Sequence, residues 1–297
     1  MPTTLDWLQS GISLAECQRK TPLDVIDTRI LMMQALGLSR IQLITQSELQ
    51  LDTQQATTLR DLIARRFNGE PIAYLTGERE FYGLSLLVTP DVLIPRPDTE
   101  LLVELALQHT PKNNQVPSRV LDMGTGSGAI AVALAHTRAD WHVTATDISA
   151  AALAVAAANG ARHAPSLMAQ AAEQTSLQSR ISFLQSDWYS ACAGQQFHTI
   201  VSNPPYIEKN DPHLSQGDLR FEPLVALTDQ SDGLSHYRHI IAGAAAHLET
   251  HGWLLLEHGY NQSEQVQDLL RQHGFTAVQS WQDLSGIWRV SGGQLSK

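Results

Sequence analysis

Residues 119–128 read Arg-Val-Leu-Asp-Met-Gly-Thr-Gly-Ser-Gly, and an apolar, alanine-rich run over 129–135 follows at once. A short β-branched strand, a tight glycine turn and a helix in direct succession form a crevice suited to a nucleotide-like cofactor. Glycines let the backbone approach a ligand, and the N–H groups of the helix start face it. The Gly-x-Gly-x-Gly spacing differs from the dinucleotide fingerprint, whose third glycine lies one residue further on. The turn therefore fixes an alternating β/α architecture and leaves the ligand open. Gly124, Thr125, Gly126, Ser127 and Gly128 are its candidate cofactor contacts.

The same alternation continues downstream. A strand over 141–146 ends at Asp147, 25 residues after Asp122. In this architecture an acid near that point grips ribose hydroxyls. The competing reading is an N-cap for a helix over 150–159. A strand over 181–184 runs into Ser186-Asp187-Trp188-Tyr189. There Asp187 can face an adenine amino group and Trp188 its ring, or the aromatic can simply pack on the core. Residues 160–179, rich in Ala, Gln and Ser, read as a surface excursion. Further helices are expected over 233–248 and 264–272, and strands over 252–257, 275–280 and 287–290. Only a short turn separates the last two strands, so they pair antiparallel.

The strand over 197–201 opens into Ser202-Asn203-Pro204-Pro205-Tyr206. Two prolines cannot extend a strand, and they brace the chain just past its C-terminal edge. Ligands of open α/β sheets bind at that edge. The Asn203 amide offers an acceptor and two donors. The carbonyl of Pro204 adds an acceptor and Tyr206 a flat apolar face. Together they suit a planar –NH2 group gripped from two sides. A merely rigid loop is the plainer alternative. Residues 208–228, irregular and polar, with Pro212 and Pro223, suggest a substrate-facing loop.

The first 70 residues differ in kind. Leu5, Leu8 and Ile12 suggest one helix. Residues 23–36, opened by Thr21-Pro22 and stopped at Gly37, suggest a second, and residues 49–67, with Asp52 as N-cap and Gly69 as stop, a third. Arg60, Arg65 and Arg66 read as a solvated face or as a partner-docking surface. Residues 72–75, 80–82, 84–88 and 92–94 look like short strands punctuated by Gly77, Gly83 and Pro90-Asp91. Within Pro95-Arg96-Pro97-Asp98-Thr99-Glu100, Pro97 suits a first helical turn. Arg96 and Glu100 either cap that helix or shape a cleft mouth.

Bulk properties exclude several classes. Net charge is −10, with 8 basic and 10 acidic residues through residue 80 and 12 and 20 after it. Neither part has the basic excess expected of a stand-alone nucleic-acid binder. No apolar run reaches the roughly 20 residues of a membrane span. No signal peptide is apparent, and Cys17 and Cys192 suit packing in a reducing cytoplasm. The twelve histidines show no metal-ligand spacing, so no metal is expected.

The glycine loop, Asp147, Asp187-Trp188 and Asn203-Pro204-Pro205-Tyr206, in this order, resemble the class I S-adenosylmethionine-dependent methyltransferases. The Gly77-Glu78-Arg79-Glu80-Phe81-Tyr82-Gly83 segment, Pro95-Arg96-Pro97-Asp98-Thr99-Glu100 and Leu256-Glu257-His258-Gly259 narrow the resemblance to the PrmC/HemK family. Those are the protein-(glutamine-N5) methyltransferases of bacterial class 1 peptide chain release factors. The resemblance covers nearly the whole chain and departs from the family pattern around residues 161–178 and at Tyr260. It implies an α/β, Rossmann-like domain over 96–297 with a seven-stranded, mostly parallel sheet ending in an antiparallel hairpin. A helical bundle over 1–71 for substrate docking and a β-hairpin linker over 72–95 precede it. It further implies that the glycine loop holds the methionine part of S-adenosyl-L-methionine, that Asp147 binds its ribose and that Asp187 and Trp188 lie by its adenine. Asn203, Pro204 and Tyr206 are then the catalytic set, Asn203 also touches the cofactor, and Asn203, Pro204, Pro205 and Tyr206, with Arg96 and Glu100, are the substrate side. Gly292-Gly293-Gln294 in the tail reads as coincidence, with self-methylation as the sharper alternative. The rival enzyme reading is a nucleic-acid methyltransferase acting on adenine N6 or guanine N2, since the same loop serves any planar amine. A non-catalytic cofactor-binding protein is the rival of another class.

Overall fold

The computed structural model describes residues 5–111, 117–168 and 180–296. The chain forms two compact units, Met1–Glu78 with Gln216–Phe221, and Arg79–Ser215 with Glu222–Lys297.

The first unit is helical: α1 Leu14–Lys20, α2 Val25–Leu36, α3 Arg40–Thr45, α4 Thr53–Phe67 and α5 Ile72–Thr76. Polar caps fix its helix starts. Asp24 accepts from the Ile26 and Asp27 amides, and Asp52 forms a reciprocal capping box with Gln55. Gly37 closes α2 in the left-handed region, at φ 65°. Leu8, Leu14, Leu31, Met32, Leu59 and Ile63 make its core.

Four expectations need correction here. Leu8 and Ile12 are core residues but lie in turns, because the helix begins only after Ser13 caps it. Thr21-Pro22 does not open α2, whose cap is Asp24. Residues 72–75 are a helix, with Ala73, Tyr74 and Leu75 buried. Arg60 and Arg66 are partly buried and engaged rather than freely solvated, while Arg65 stays exposed. Arg66 pairs with Asp27 at 2.6 Å and Asp218 at 3.4 Å, Arg65 pairs with Glu70, and Arg60 donates to the Leu8 carbonyl.

The second unit begins with the hairpin β1 Glu78–Phe81 and β2 Leu84–Leu87. Tyr82 and Gly83, at φ 51° and 75°, supply the two left-handed residues of a tight hairpin turn. Residues 92–94 are not a strand. After α6 Glu100–His109 the chain alternates through β3 Ser118–Met123, α7 Ala129–Thr137, β4 Trp141–Asp147, α8 Ala150–Met168, β5 Ile181–Gln185 and β6 Phe197–Ser202. The short α9 Leu224–Leu227 then leads to α10 Ser235–His247, β7 Leu248–Glu257, α11 Ser263–Gln272, β8 Phe275–Gln282 and β9 Trp288–Leu295. α8 continues past residue 159, where the sequence suggested a stop at Gly160. A Cβ at Gly160 would sit 3.1 Å from the Phe183 ring, so close packing rather than termination accounts for the glycine. The rest of the expected excursion, 169–179, lies outside the described residues.

The seven-stranded sheet has the order β5-β4-β3-β6-β7-β9-β8. β5, β4, β3, β6 and β7 run parallel, and β9 is antiparallel to both β7 and β8. The central strands are buried on both faces, which is why they read as unbroken apolar runs. Val120, Val201 and Leu255 face one core with Leu134 and Trp141. Leu121, Ile200, Leu254 and Leu256 face the other with Tyr237, Ile240 and Leu270. Each such side chain contributes about 1.5–3 kcal/mol on burial.

Register then decides where the chemistry sits. Met123 pairs with Thr146 and with Ser202, and Ser202 pairs with Leu256. The residues one step beyond these are Gly124, Asp147, Asn203 and Glu257. Four adjacent strands thus end on one level, at the C-terminal edge.

The tail Gly292-Gly293-Gln294 is part of β9. Gln294 pairs with Trp253, and its amide donates to the His251 carbonyl at 2.9 Å. A Cβ at Gly292 would meet the Leu255 side chain at 2.6 Å and the Leu254 carbonyl at 2.7 Å. The glycines are there for sheet packing. Gly292→Ala is expected to cost about 1–3 kcal/mol in chemical denaturation through overpacking; an unchanged unfolding midpoint would contradict this packing.

Candidate active site

A cavity of about 210 Å³ opens at that strand edge. Its wall includes Gly124, Gly126, Thr146, Asp147, Asp187, Trp188, Asn203, Pro205 and His236. Gly124 and Gly126 adopt φ of 68° and 55°, and a Cβ built on either meets nothing within 4 Å. Side chains there would project into open space, so the bare backbone forms a cradle that only glycine leaves clear. Gly128 does other work. A Cβ on it would lie 3.0 Å from the Ala156 side chain, so this glycine permits α7 to pack against α8. Thr125 and Ser127 are buried, and neither lines the cavity.

Buried polar groups hold the loop in shape. Asp122 Oδ2 accepts from Thr125 Oγ at 2.6 Å and from the Ala131 amide at 3.2 Å. Burial pushes the Asp122 carboxyl up to about 7, against the pull of those two donors. The Thr125 amide donates to the Thr146 carbonyl at 2.9 Å, tying the glycine turn to β4. Asp147 accepts from the Gly126 amide on one oxygen and the Ser149 amide on the other, both at 2.9 Å. The N-cap role belongs instead to Ser149, whose hydroxyl accepts from the Ala152 amide. Burial raises the Asp147 pKa, and its backbone donors oppose the rise.

The far wall is aromatic. Trp188 sits at φ 48°, a strained setting for a bulky residue. The turn around it is over-determined, with Ser186 Oγ donating to the Trp188 carbonyl and Ser190 Oγ accepting from the Asp187 amide. The His236 ring lies 5.0 Å from the Trp188 ring, and burial lowers its pKa, favouring the neutral imidazole. His236 comes from α10, far along the chain, and no local pattern marked it.

Asn203 and Pro205 of the proline loop face the cavity; Pro204 is buried and Tyr206 packs against the second core cluster. Tyr206 therefore does not line the cavity as a flat face. A clasp that the sequence did not disclose holds this loop. Gln262 accepts from the Gly259 amide at 2.9 Å and donates to the Tyr206 carbonyl at 3.1 Å and the Gly233 carbonyl at 3.2 Å. Gly259 follows Glu257 and His258 at the end of β7. His258 is fully buried and held near pKa 4 by that burial, hence neutral. Its Nδ1–H donates to the Gly259 carbonyl and its Nε2 accepts from Ser291 Oγ, both at 2.8 Å.

Arg96 and Glu100 are not brought into the cavity. Arg96 pairs with the buried carboxylate of Glu222, which also accepts from the Ile94 amide at 3.0 Å. Glu100 accepts from the Tyr82 amide at 3.0 Å, bracing the hairpin turn. Among the described residues no His, Cys, Asp and Glu cluster is suited to a metal, and no helix is long and apolar enough to cross a membrane.

Comparison with known proteins agrees with this architecture. Residues 6–77 match the PrmC N-terminal domain, and residues 98–217 match the methyltransferase small domain. The chain is 52% identical over 287 residues to the release factor glutamine methyltransferase of Burkholderia pseudomallei (strain K96243), covering 96% of this chain and 97% of that one. It is 43% identical over 288 residues to the release factor glutamine methyltransferase of Escherichia coli (strain K12), covering 97% of each. The solved methyltransferase from Pyrococcus furiosus shares the fold at a TM-score of 0.52 and 18% identity, covering 79% of this chain and 98% of that one. With near-complete coverage at such identity, the expected seven-stranded, mostly parallel sheet ending in an antiparallel hairpin and a glycine cradle beside the Asn-Pro-Pro-Tyr loop, the chain belongs to the release factor glutamine methyltransferase family of class I, S-adenosylmethionine-dependent methyltransferases.

Proposed function

We propose that this protein transfers a methyl group from S-adenosyl-L-methionine to the side-chain amide nitrogen of the glutamine in the Gly-Gly-Gln loop of class 1 peptide chain release factors. The observation that carries the reading is Asn203, a carboxamide at the cavity wall on the same strand edge as the Gly124–Gly126 cradle and Asp147. Family membership supplies the substrate class.

The cavity fits the cofactor by its own chemistry. The open backbone at Gly124 and Gly126 leaves room for the methionine part. The Asp147 carboxylate suits the ribose hydroxyls. Asp187 and the Trp188–His236 pair suit the adenine edge and face. Bound there, S-adenosylmethionine supplies an electrophilic methyl on a sulfonium.

An amide nitrogen is a poor nucleophile, because its lone pair is delocalised into the carbonyl. The task of the protein is therefore positioning and exclusion of water. Asn203 Oδ1 and the Pro204 carbonyl are assigned to accept the two N–H bonds of the substrate glutamine. That holds the nitrogen with its lone pair toward the cofactor side. Pro205 and the Pro204 ring keep both acceptors fixed, and Tyr206 anchors the loop to the core. Arg96 and Glu100 act by bracing the surrounding turns. The extra proton leaves to water after transfer, so no general base is assigned.

The helical first unit is read as a docking surface for the release factor, and the setting as the cytoplasm. With an acidic balance of −10, nucleic acid is not a stable partner in this reading. A tritiated-methyl assay offering release factor, tRNA, rRNA and DNA side by side is expected to label the release factor alone. A release factor with its Gly-Gly-Gln glutamine changed to alanine is expected to stay unlabelled; equal labelling would refute the assignment. Asn203→Ala is expected to lower kcat by about a hundredfold or more. Its cofactor Kd should stay within about tenfold, or 1.4 kcal/mol. Asp147→Ala removes charge-assisted hydrogen bonds of about 1.5–3 kcal/mol each, so its cofactor Kd should rise at least about tenfold by calorimetry. Wild-type affinity in that variant would move the ribose site elsewhere.

A further inference from the structure

The turn after β7 carries a chain of side-chain hydrogen bonds. His258 and Ser291 are both fully buried. Ser291 of β9 and Ser280 of β8 are cross-strand partners, and their hydroxyls lie 2.6 Å apart. Ser291 Oγ meets His258 Nε2 at 2.8 Å, and His258 Nδ1 meets the Gly259 carbonyl at 2.8 Å. In the other direction Gln267 Nε2 donates to Ser280 Oγ at 2.7 Å, and Gln267 Oε1 accepts from the exposed Arg271 at 2.6 Å. The chain runs from the surface of α11, through both hairpin strands, to the Gly259 turn. Its unbroken pairing offsets the desolvation of so many polar groups.

The sense of the chain is fixed from both ends. The Gly259 carbonyl only accepts, so His258 carries its proton on Nδ1. Its Nε2 is then bare and takes the Ser291 proton. Ser291 has no second proton, so Ser280 donates to it and itself accepts from Gln267. At the far end a guanidinium only donates. That sets the Gln267 oxygen toward Arg271 and its nitrogen toward Ser280. Both ends demand the same direction.

At the Gly259 turn this chain reaches the site. The Gly259 carbonyl accepts from the Gln262 amide at 3.0 Å as well as from His258. The Gly259 amide donates to Gln262 Oε1 at 2.9 Å, and Gln262 Nε2 grips the Tyr206 carbonyl at 3.1 Å. The fit is close. A Cβ on Gly259 would lie 3.0 Å from Gln262 Oε1, and one on Gly233 would lie 2.6 Å from the Tyr206 carbonyl. We propose that His258 is a positioning residue for methyl transfer: as the Nδ1–H tautomer it pins the Gly259 carbonyl, and through the Gln262 clasp it fixes Tyr206 and with it the Asn203 and Pro204 acceptors. This rests on the reading of that loop as the holder of the substrate amide.

The test joins a spectroscopic and a kinetic readout. Nitrogen–proton correlation spectra of isotope-labelled imidazoles, with the His258 signals assigned by their loss in His258→Asn, are expected to show Nδ1 protonated and Nε2 bare near neutral pH. An Nε2–H tautomer would overturn the proposal, and it is read on the unmodified protein. On release factor, kcat, KM and cofactor Kd are measured for wild type, His258→Leu, His258→Asn, Gln262→Ala and the His258→Leu, Gln262→Ala double variant. His258→Leu should lower kcat about tenfold, the scale of one lost buried hydrogen bond. Its cofactor Kd should hold within about threefold, since His258 lies outside the cavity wall. Asparagine sets an N–H near the place of Nδ1–H, so His258→Asn should recover most of the lost kcat. The double variant should fall within about threefold of Gln262→Ala alone, because residues acting in series are not additive. Wild-type kcat in His258→Leu, no recovery in folded His258→Asn, or fully additive losses in the double variant would each overturn the proposal. Full activity of Asn203→Ala in the same series would instead sink the reading of the Asn203 loop on which it depends.

Discussion

The parallel register of β4, β3, β6 and β7 is the constraint on which the site depends. It brings Gly124, Asp147, Asn203 and Glu257, drawn from four separate stretches of chain, to one level. No local preference does this. Burial of the apolar strands on both faces does it, because slipping any strand by one residue would exchange its two faces and set each side chain into the core shaped for the other. The energy that holds Asn203 next to the glycine cradle is thus mostly hydrophobic and resides in Val120, Leu121, Ile200, Val201, Leu254 and Leu255. The chemistry sits on top of that layer, where strand hydrogen bonding ends and backbone groups become free for ligands.

What keeps the edge from collapsing into loops is a second, polar layer. Asp122 ties the glycine turn to α7, Asp147 ties it to the start of α8, and Gln262 ties the proline loop to the turn after β7. Each uses a side chain to satisfy backbone groups that no strand or helix claims. Burial raises the carboxyl of Asp122, which holds the glycine turn, and that of Glu257 to about 7. The sign follows: both are stabilising partners when protonated and lose part of that contribution as pH rises through their folded values.

Much of the fold was legible in the sequence because doubly covered strands and capped helices leave strong local marks. Asp52 and Gly37 marked helix ends by capping chemistry, and the apolar run before Asn203 marked a buried strand. The errors have physical causes too. Ile72-Ala73-Tyr74-Leu75 is a short apolar run, and periodicity cannot separate helix from strand at that length. The helix expected over 150–159 runs on through Gly160, where a Cβ would crowd the Phe183 ring. The glycine loop looked uniform, yet Gly124 and Gly126 open onto the cavity while Gly128 serves α7–α8 packing. Asp147, Asp187, Trp188 and Asn203 were nameable because each lies at or just past the C-terminal end of a strand. His236 and Gln262 were not, since their relevance exists only across strands and helices far apart in sequence.

The central claim is that a carboxamide at a proline-braced strand edge presents its oxygen to a substrate amide beside the glycine cradle. The most direct measurement is a crystal structure of this protein with S-adenosylhomocysteine and a peptide bearing Gly-Gly-Gln. The account predicts the glutamine nitrogen within hydrogen-bonding distance of Asn203 Oδ1, about 2.7–3.2 Å, on the side facing the sulfur. A glutamine seated elsewhere, or Asn203 turned away from it with the sulfur compound bound, would contradict the account.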